Sequence, residues 1–126
     1  MKVINIEDNV FKHSAICKVL KQCGINEIEW SRNLADALNT IDKAYSMSEP
    51  FDLIITDMHY PLSPLGRDDW DAGEKLISEM EKRGAADRVI ICSSRNLRYP
   101  EIYGSLWYSE LSDWEFGLKR LVEKLQ

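Results

Sequence analysis

Short apolar runs alternate along the chain with segments in which apolar residues recur every three or four positions. The runs predict strands over residues 3–6, 27–30, 53–56, 89–92 and 105–108. Strands that alternate with helices are typical of a parallel sheet that is covered by helices on both faces. We therefore predict an α/β fold with a doubly wound, five-stranded parallel sheet.

The segments between the runs predict four amphipathic helices. The first two are predicted to end near Gly24 and residue 45, and to bury the apolar residues Ile16, Val19, Leu20, Cys23, Leu34, Ala37, Leu38, Ile41 and Tyr45. The third, which buries Leu76, Ile77 and Met80, is predicted to end at Gly84. The last is predicted to begin with the capping pattern Ser112-x-x-Glu115 and to bury Trp114, Leu118, Leu121, Val122 and Leu125.

The chain has 126 residues, of which 44% are hydrophobic and 29% are charged, and it contains no internal repeat. This size and composition predict one domain over residues 1–126. The net charge of -5 argues against a nucleic-acid partner. We expect a cytoplasmic protein without a membrane partner, because the N-terminus lacks the apolar core of a signal peptide and no apolar run is long enough to span a bilayer. The three cysteines form no C-x-x-C pair and are expected to be reduced thiols.

Acidic and hydroxyl residues follow the predicted strands at the points where the strands end. Glu7 and Asp8 follow the first strand, Asp57 follows the third, and Ser93 and Ser94 follow the fourth. The carboxyl ends of parallel strands lie at one edge of the sheet, so these side chains should converge. Two carboxylates about 5 Å apart repel by roughly 3 kcal/mol at an effective dielectric of 20. The cluster therefore needs a cation or a proton, and an open set of oxygen ligands favours Mg²⁺ over Ca²⁺.

The chain resembles a response-regulator receiver domain of the CheY-like type, and the resemblance covers nearly its whole length. The matching segments are INIEDN, LIITDMHYP, DAGEKLISEM and RVIICSS. The resemblance implies that Asp57 is the phosphoacceptor and that Mg²⁺ is bound by Asp8, Asp57 and the backbone carbonyl of His59, with Glu7 acting through water. It also implies that Ser93, with Ser94 beside it, hydrogen-bonds the phosphoryl group. The implied partners are a sensor histidine kinase or a phosphotransfer protein, and a downstream protein.

The sequence departs from the receiver pattern at the fifth strand, where the family carries a lysine that contacts the phosphoryl group. Here the matching position is Ser109 or Glu110, and no lysine lies between Lys82 and Lys119. Arg95 and Arg98 are the cations nearest to the predicted site in the sequence. Arg95 is therefore a candidate switch residue.

Two further departures concern the loops around the predicted site. Residues 62–70 are predicted to be an insertion. It is expected to be a solvated loop anchored by the aromatic residue Trp70, and the alternative is that Trp70, Asp68 and Asp69 close over the site. Between residues 93 and 105 the chain is too short for a full fourth helix, and Pro100 interrupts it. Six of the 12 aromatic residues fall within residues 99–116. This aromatic cluster either packs around the shortened helix or forms an interface, and Tyr103, Trp107 and Tyr108 are its candidate switch or interface residues. His13 is expected at the surface.

Three functions fit these observations. The first is a stand-alone receiver that accepts phosphate on Asp57 with Mg²⁺ and is not an enzyme. The second is a pseudo-receiver, a module that binds proteins independently of phosphorylation. The third is a phosphohydrolase of the haloacid-dehalogenase type, but such enzymes place a second aspartate two residues after the nucleophile, and this chain has His59 there.

Overall fold

The computed structural model describes residues 1–126 and contains one five-stranded parallel sheet. Its strands lie in the order β2-β1-β3-β6-β7, with bounds Lys2–Ile6 (β1), Glu27–Ser31 (β2), Leu53–Thr56 (β3), Val89–Ser93 (β6) and Gly104–Trp107 (β7). A separate two-stranded antiparallel ribbon is formed by Tyr60–Pro61 (β4) and Asp68–Asp69 (β5). The predicted five-stranded α/β fold is confirmed, and all five predicted strands lie within two residues of the observed bounds.

Four α-helices connect and cover the strands of the sheet. They are Val10–Gln22 (α1), Leu34–Ser46 (α2), Ala72–Lys82 (α3) and Trp114–Glu123 (α4). Gly24 (φ +82°) and Gly84 (φ +70°) follow α1 and α3 in the left-handed region, where a glycine avoids the strain of a side chain. The two predicted helix ends are therefore confirmed. None of these helices has the length and apolar character needed to cross a membrane.

The two faces of the sheet bury two separate clusters of apolar residues. Ile4, Ile6 and Ile54 point to the face that α2 and α3 cover, whereas Val3 and Ile55 point to the face that α1 and α4 cover. This alternation follows from the two-residue repeat of a strand. Because both faces are covered, every residue of β3 and β6 is buried, as is every residue of β1 after Lys2.

The structure corrects three details of the helix predictions. Tyr45 and Leu125 are 67% and 43% exposed, because the buried stripe of α2 continues through Ala44 and because Leu125 follows the end of α4. The N-cap of α4 is Asp113, whose Oδ1 accepts a hydrogen bond from the backbone N of Phe116. Ser112 instead donates its hydroxyl to the carbonyl oxygen of Trp107, so it fixes the preceding turn.

The connection between β6 and β7 contains no helix. Residues 94–103 form bends and turns, and Tyr103 then enters the sheet region by donating its backbone N–H to the carbonyl of Val89. The expectation that a full fourth helix would not fit is confirmed. The fourth helix of this chain, α4, is therefore the one that follows the last strand, and it packs beside α1.

Candidate functional site

Three carboxylates meet at the carboxyl ends of the central strands. Pairing of Ile6 with Thr56 in neighbouring strands places Glu7 and Asp57 side by side immediately afterwards. One ligand oxygen from each of Glu7, Asp8 and Asp57 lies within 4.8 Å of the others. The structure therefore brings together the three acidic residues that the sequence analysis selected.

A buried lysine, which the sequence analysis missed, completes this cluster. Lys12 lies in the first turn of α1 and is only 7% exposed. Its Nζ lies 2.9 Å from Glu7 Oε1 and 3.1 Å from Asp57 Oδ1, and it donates a hydrogen bond of 2.6 Å to the carbonyl oxygen of Cys92. The cation at the site thus comes from the first helix and not from the end of the last strand.

The position of Lys12 in the helical repeat contained a signal for this placement. Lys12 stands four residues before Ile16, so it continues the buried stripe of α1 toward the N-terminus of the helix. A lysine on a buried stripe needs partners for its ammonium group. The sequence offers the acidic residues at the strand ends as such partners, so it indicates that Lys12 belongs to the same cluster.

Burial shapes the electrostatics of Glu7. Loss of solvent, partly offset by Lys12, raises the pKa of this carboxyl group to about 7. Its Oε2 accepts a hydrogen bond of 3.2 Å from the backbone N of Asn9. Its Oε1 is fully buried and accepts no hydrogen bond of regular geometry, although Lys12 Nζ lies at ion-pair distance. The ammonium of Lys12 is therefore the charge that compensates this buried oxygen.

The neighbours of Glu7 have shifted pKa values as well. The pKa of Asp8 is raised, first by burial and second by the negative charge of Asp68. The pKa of Lys12 is also raised, since attraction to Glu7 and Asp57 outweighs the burial that would lower it. Lys12 is therefore a permanent cation in the folded protein.

The backbone around Asp57 is held rigidly. Asp57 donates its N–H to the carbonyl of Ile6, and its Oδ1 accepts a hydrogen bond of 2.7 Å from the backbone N of Met58. Thr56 donates its hydroxyl to the carbonyl of Asp57. Gly73, in the first turn of α3, approaches so closely that a Cβ built there would lie 2.4 Å from the carbonyl oxygen of Asp57. These contacts fix the direction of the Asp57 side chain.

The two serines at the end of β6 occupy different environments. Ser93 is 2% exposed, and its Oγ accepts a hydrogen bond of 3.1 Å from the backbone N of Arg95. Ser94 is exposed and lines the open pocket that also contains Glu7, Asp8 and Asp57. Of the two predicted hydroxyls, Ser94 is therefore the one that borders the pocket.

The insertion at residues 62–70 returns to the edge of the pocket. Trp70 stacks on the ring of His59 with the ring centroids 4.3 Å apart, so an aromatic contact joins this loop to the segment that follows β3. Asp68 lines the pocket, and its Oδ2 lies 3.9 Å from His59 Nε2. The guanidinium of Arg95 donates to the carbonyl of Trp70, so it faces the insertion and not the carboxylates.

The three aromatic candidates lie on or next to the last strand. Tyr103 donates its hydroxyl to the carbonyl of Leu121 in α4. Trp107 donates its Nε1 to the carbonyl of Ser94, at the rim of the pocket. The ring of Tyr108 lines the pocket, and its centroid lies 5.1 Å from Lys12 Nζ. Tyr108 is thus the aromatic residue that contacts the charged cluster directly.

His13 is not a simple surface residue, which corrects the sequence prediction. Its Nδ1 lies 2.7 Å from Oδ1 of Asn5, which is fully buried in β1. Its ring stacks on Trp30 with a centroid distance of 4.1 Å. A buried amide requires hydrogen-bond partners, and His13 on the facing helix supplies one.

The cysteines are all free, as predicted, but only Cys92 is buried.

The donor set fits a divalent metal ion. The available ligand atoms are oxygens of three carboxylates, which hard cations prefer. The carboxylates carry three formal negative charges against the single positive charge of Lys12. The cluster is therefore consistent with a divalent cation at this end of the sheet.

Comparisons with known proteins find their matches among solved structures. No protein-family model matches the chain, and the search of curated proteins finds no match. The Mn(2+)-bound form of the response regulator Rcp1 superposes with a TM-score of 0.70 at 20% identity, over 98% of this chain and 93% of that chain. A two-component response regulator from Cytophaga hutchinsonii gives a TM-score of 0.70 at 15% identity, over 98% and 95%. A sensor protein from Polaromonas sp. JS666 gives 0.71 at 16% identity, over 98% and 93%.

These similarities identify the fold. The strand order, the helices on both faces and the near-complete coverage show that the chain has the CheY-like fold of response-regulator receiver domains. The similarity predicted from the four sequence segments is confirmed at the level of fold.

Proposed function

We propose that this protein is a receiver that accepts a phosphoryl group on Asp57 in a two-component phosphorelay. The observation that carries the proposal is the convergence of Glu7, Asp8 and Asp57 within 4.8 Å at the carboxyl end of a receiver-type sheet. The fold alone would not distinguish a signalling receiver from other proteins that share it. The acidic cluster is the feature that gives the fold this chemistry.

The residues of the site have distinct roles in this proposal. Asp8, Asp57 and the backbone carbonyl of His59 would hold Mg²⁺, and Glu7 would contact it through water. When bound, the ion neutralises charge on the phosphoryl oxygens. The stack of Trp70 on His59 fixes the loop that carries the carbonyl. Ser94 at the pocket, or Ser93 after a change of partner, would donate a hydrogen bond to the phosphoryl group.

Asp57 is prepared for nucleophilic attack. Its Oδ1 is held by the backbone N of Met58 and by Lys12, whereas its Oδ2 has no hydrogen-bond partner. In the proposed step, Oδ2 forms a bond to phosphorus, and the bond between phosphorus and the donor's leaving group breaks, with its electron pair departing on that group. The product is an acyl phosphate.

The donor in the cell would be a sensor histidine kinase or a phosphotransfer protein, and the location would be the cytoplasm. In the test, the donor is replaced by acetyl phosphate. Intact mass spectrometry after incubation with acetyl phosphate and Mg²⁺ should show one added phosphoryl group. The adduct should be absent in Asp57→Asn and present in Asp87→Asn, whose carboxylate is exposed and lies outside the site. Absence of the adduct from the wild type under excess donor would refute the proposal.

One observation favours a second candidate, a pseudo-receiver that binds a protein partner without being phosphorylated. Lys12 already neutralises part of the acidic cluster through its contacts with Glu7 and Asp57, so the fold does not depend on a bound metal ion for all of its charge compensation. This candidate predicts that Asp57→Asn still binds the partner. The receiver proposal predicts that the same substitution abolishes regulated binding.

A further inference from the structure

The amino group of Lys12 is the only buried cation at the site. Arg95 donates to the carbonyl of Trp70, and Arg32 is exposed and donates to the backbone carbonyl of Asp8. By contrast, Lys12 Nζ touches the carboxylate oxygen of Asp57 itself, at 3.1 Å. Any group attached to Asp57 will therefore be formed beside this ammonium.

We propose that Lys12 binds the phosphoryl group on Asp57 and couples phosphorylation to the first turn of helix α1. This inference rests on the proposed function, since it requires that Asp57 be phosphorylated. In the receiver pattern, a lysine at the end of the last strand contacts the phosphoryl group, and this chain has Ser109 or Glu110 there. The proposal assigns that contact to Lys12 in the first helix.

The charges at the site change in a way that redirects Lys12. Its Nζ lies within 3.1 Å of three oxygens, which belong to the Glu7 and Asp57 carboxylates and to the carbonyl of Cys92. Formation of the acyl phosphate removes the negative charge from the Asp57 carboxylate and places about two negative charges on the new phosphoryl oxygens. Hydrogen bonds between two ionised groups are the strong ones. The ammonium should therefore exchange its contact with Oδ1 for a contact with a phosphoryl oxygen.

This exchange acts on α1 because Lys12 is part of the helix start. The backbone N–H of Lys12 donates to Asn9 Oδ1, the side chain that caps α1. The next residue, His13, is fixed to the sheet by its contact with Asn5 and by its stack on Trp30. A displacement of the Lys12 side chain should therefore act on the first turn of α1. His13 anchors this turn to the sheet on the side facing Asn5 and Trp30.

Tyr108 provides a second path from the same ammonium. Its ring lies 5.1 Å from Lys12 Nζ and 5.0 Å from the ring of Trp114, the first residue of α4. An ammonium over an aromatic face is attracted to the negative face of the ring. Movement of Lys12 toward the phosphoryl group weakens this contact, so α1 and the start of α4 should respond together. Because α1 and α4 pack side by side, the response would involve one continuous face of the domain.

The experiment compares the wild type with Lys12→Met, Lys12→Gln and the control Lys18→Met, which removes an exposed lysine from the same helix. Formation of the adduct with acetyl phosphate and Mg²⁺ is followed by intact mass spectrometry. Amide hydrogen exchange over residues 9–14 is measured with and without beryllium fluoride and Mg²⁺, a stable analogue of the phosphoryl group. Circular dichroism verifies that each variant is folded, and Lys12→Gln retains a neutral donor if Lys12→Met does not fold.

We expect the wild type and Lys18→Met to form the adduct and to change their exchange over residues 9–14 with beryllium fluoride. Both Lys12 variants should form it at least about tenfold more slowly and lose the exchange response. A folded Lys12 variant with the wild-type rate and the wild-type response would overturn the inference. So would a wild type that forms the adduct without any change in α1. Failure of every protein to form the adduct would instead overturn the proposed function, and this inference with it.

Discussion

Lys12 Nζ lies 3.1 Å from Asp57 Oδ1, so a residue of the first helix forms an ion pair with the carboxylate at the end of the central strand β3. Glu7 shares the same ammonium at 2.9 Å. The acidic cluster is therefore partly compensated by the chain itself, and its remaining negative charge is available to a metal ion.

Millimolar Mg²⁺ should raise the melting temperature of the protein. The ion relieves repulsion among Glu7, Asp8 and Asp57, which are close together only in the folded state. A ligand at 100 times its dissociation constant stabilises the folded state by about 2.7 kcal/mol. Differential scanning fluorimetry should show the shift in the wild type and in the control Asp87→Asn. If Asp8→Asn shows an equal shift, the ion binds elsewhere.

Without a divalent cation, Glu7 should make the protein less stable as the pH rises from about 4.5 to about 7. Burial raises the pKa of Glu7 to about 7 in the folded state, whereas its ordinary value is 4.5. Below pH 4.5, both states hold the proton; between the two values only the folded state holds it, so raising the pH favours unfolding. The loss from this one group amounts to roughly 3 kcal/mol at most.

The measurement for Glu7 is urea unfolding at pH 5 and pH 8 in the presence of a chelator. Glu7→Gln cannot ionise, so it should lose less stability than the wild type between the two pH values. The control Glu27→Gln, at an exposed position of β2, should follow the wild type. Parallel behaviour of the wild type and Glu7→Gln would show that Glu7 ionises normally in the folded protein.

Gly73→Ala should destabilise the fold strongly. The new Cβ would lie 2.4 Å from the carbonyl oxygen of Asp57 and 2.8 Å from Met58 Cα, and these backbone atoms cannot rotate away. We expect a loss of about 3 kcal/mol by urea unfolding. The matched control is Gly117→Ala in α4, where the nearest atom is the flexible Leu106 side chain and alanine favours the helix. Equal stabilities of the two variants would disprove the close approach of α3 to the site.

Trp70→Ala should reduce stability by about 1 kcal/mol, because it removes the stack on His59 that anchors the insertion. Trp70→Phe keeps an aromatic face and should retain most of that stability. Thermal or urea unfolding of the two variants against the wild type provides the comparison. An unchanged midpoint for Trp70→Ala would indicate that the insertion is held by its other contacts, such as Arg95 with the carbonyl of Trp70.

The sequence predicted the sheet well because buried parallel strands are continuous apolar runs, as in residues 53–56. It also selected Glu7, Asp8 and Asp57, since parallel strands bring their ends to one edge. The helical repeat places Lys12 on the buried stripe of α1, but the carboxylates that it contacts depend on how α1 docks on the sheet, so the sequence did not show its role. The wrong prediction for His13 has the same cause. Its contacts with Asn5 and Trp30 exist only once α1, β1 and β2 are assembled.

The most direct test of the proposed function is to locate the phosphoryl group on the chain. After incubation with acetyl phosphate and Mg²⁺, borohydride reduces an acyl phosphate of aspartate to homoserine, which peptide mass spectrometry can place at a single position. Our account predicts homoserine at position 57, with no conversion of Asp8, Asp68 or Asp69 and no conversion when acetyl phosphate is omitted. Unmodified Asp57 under these conditions, or conversion at another aspartate, would contradict it.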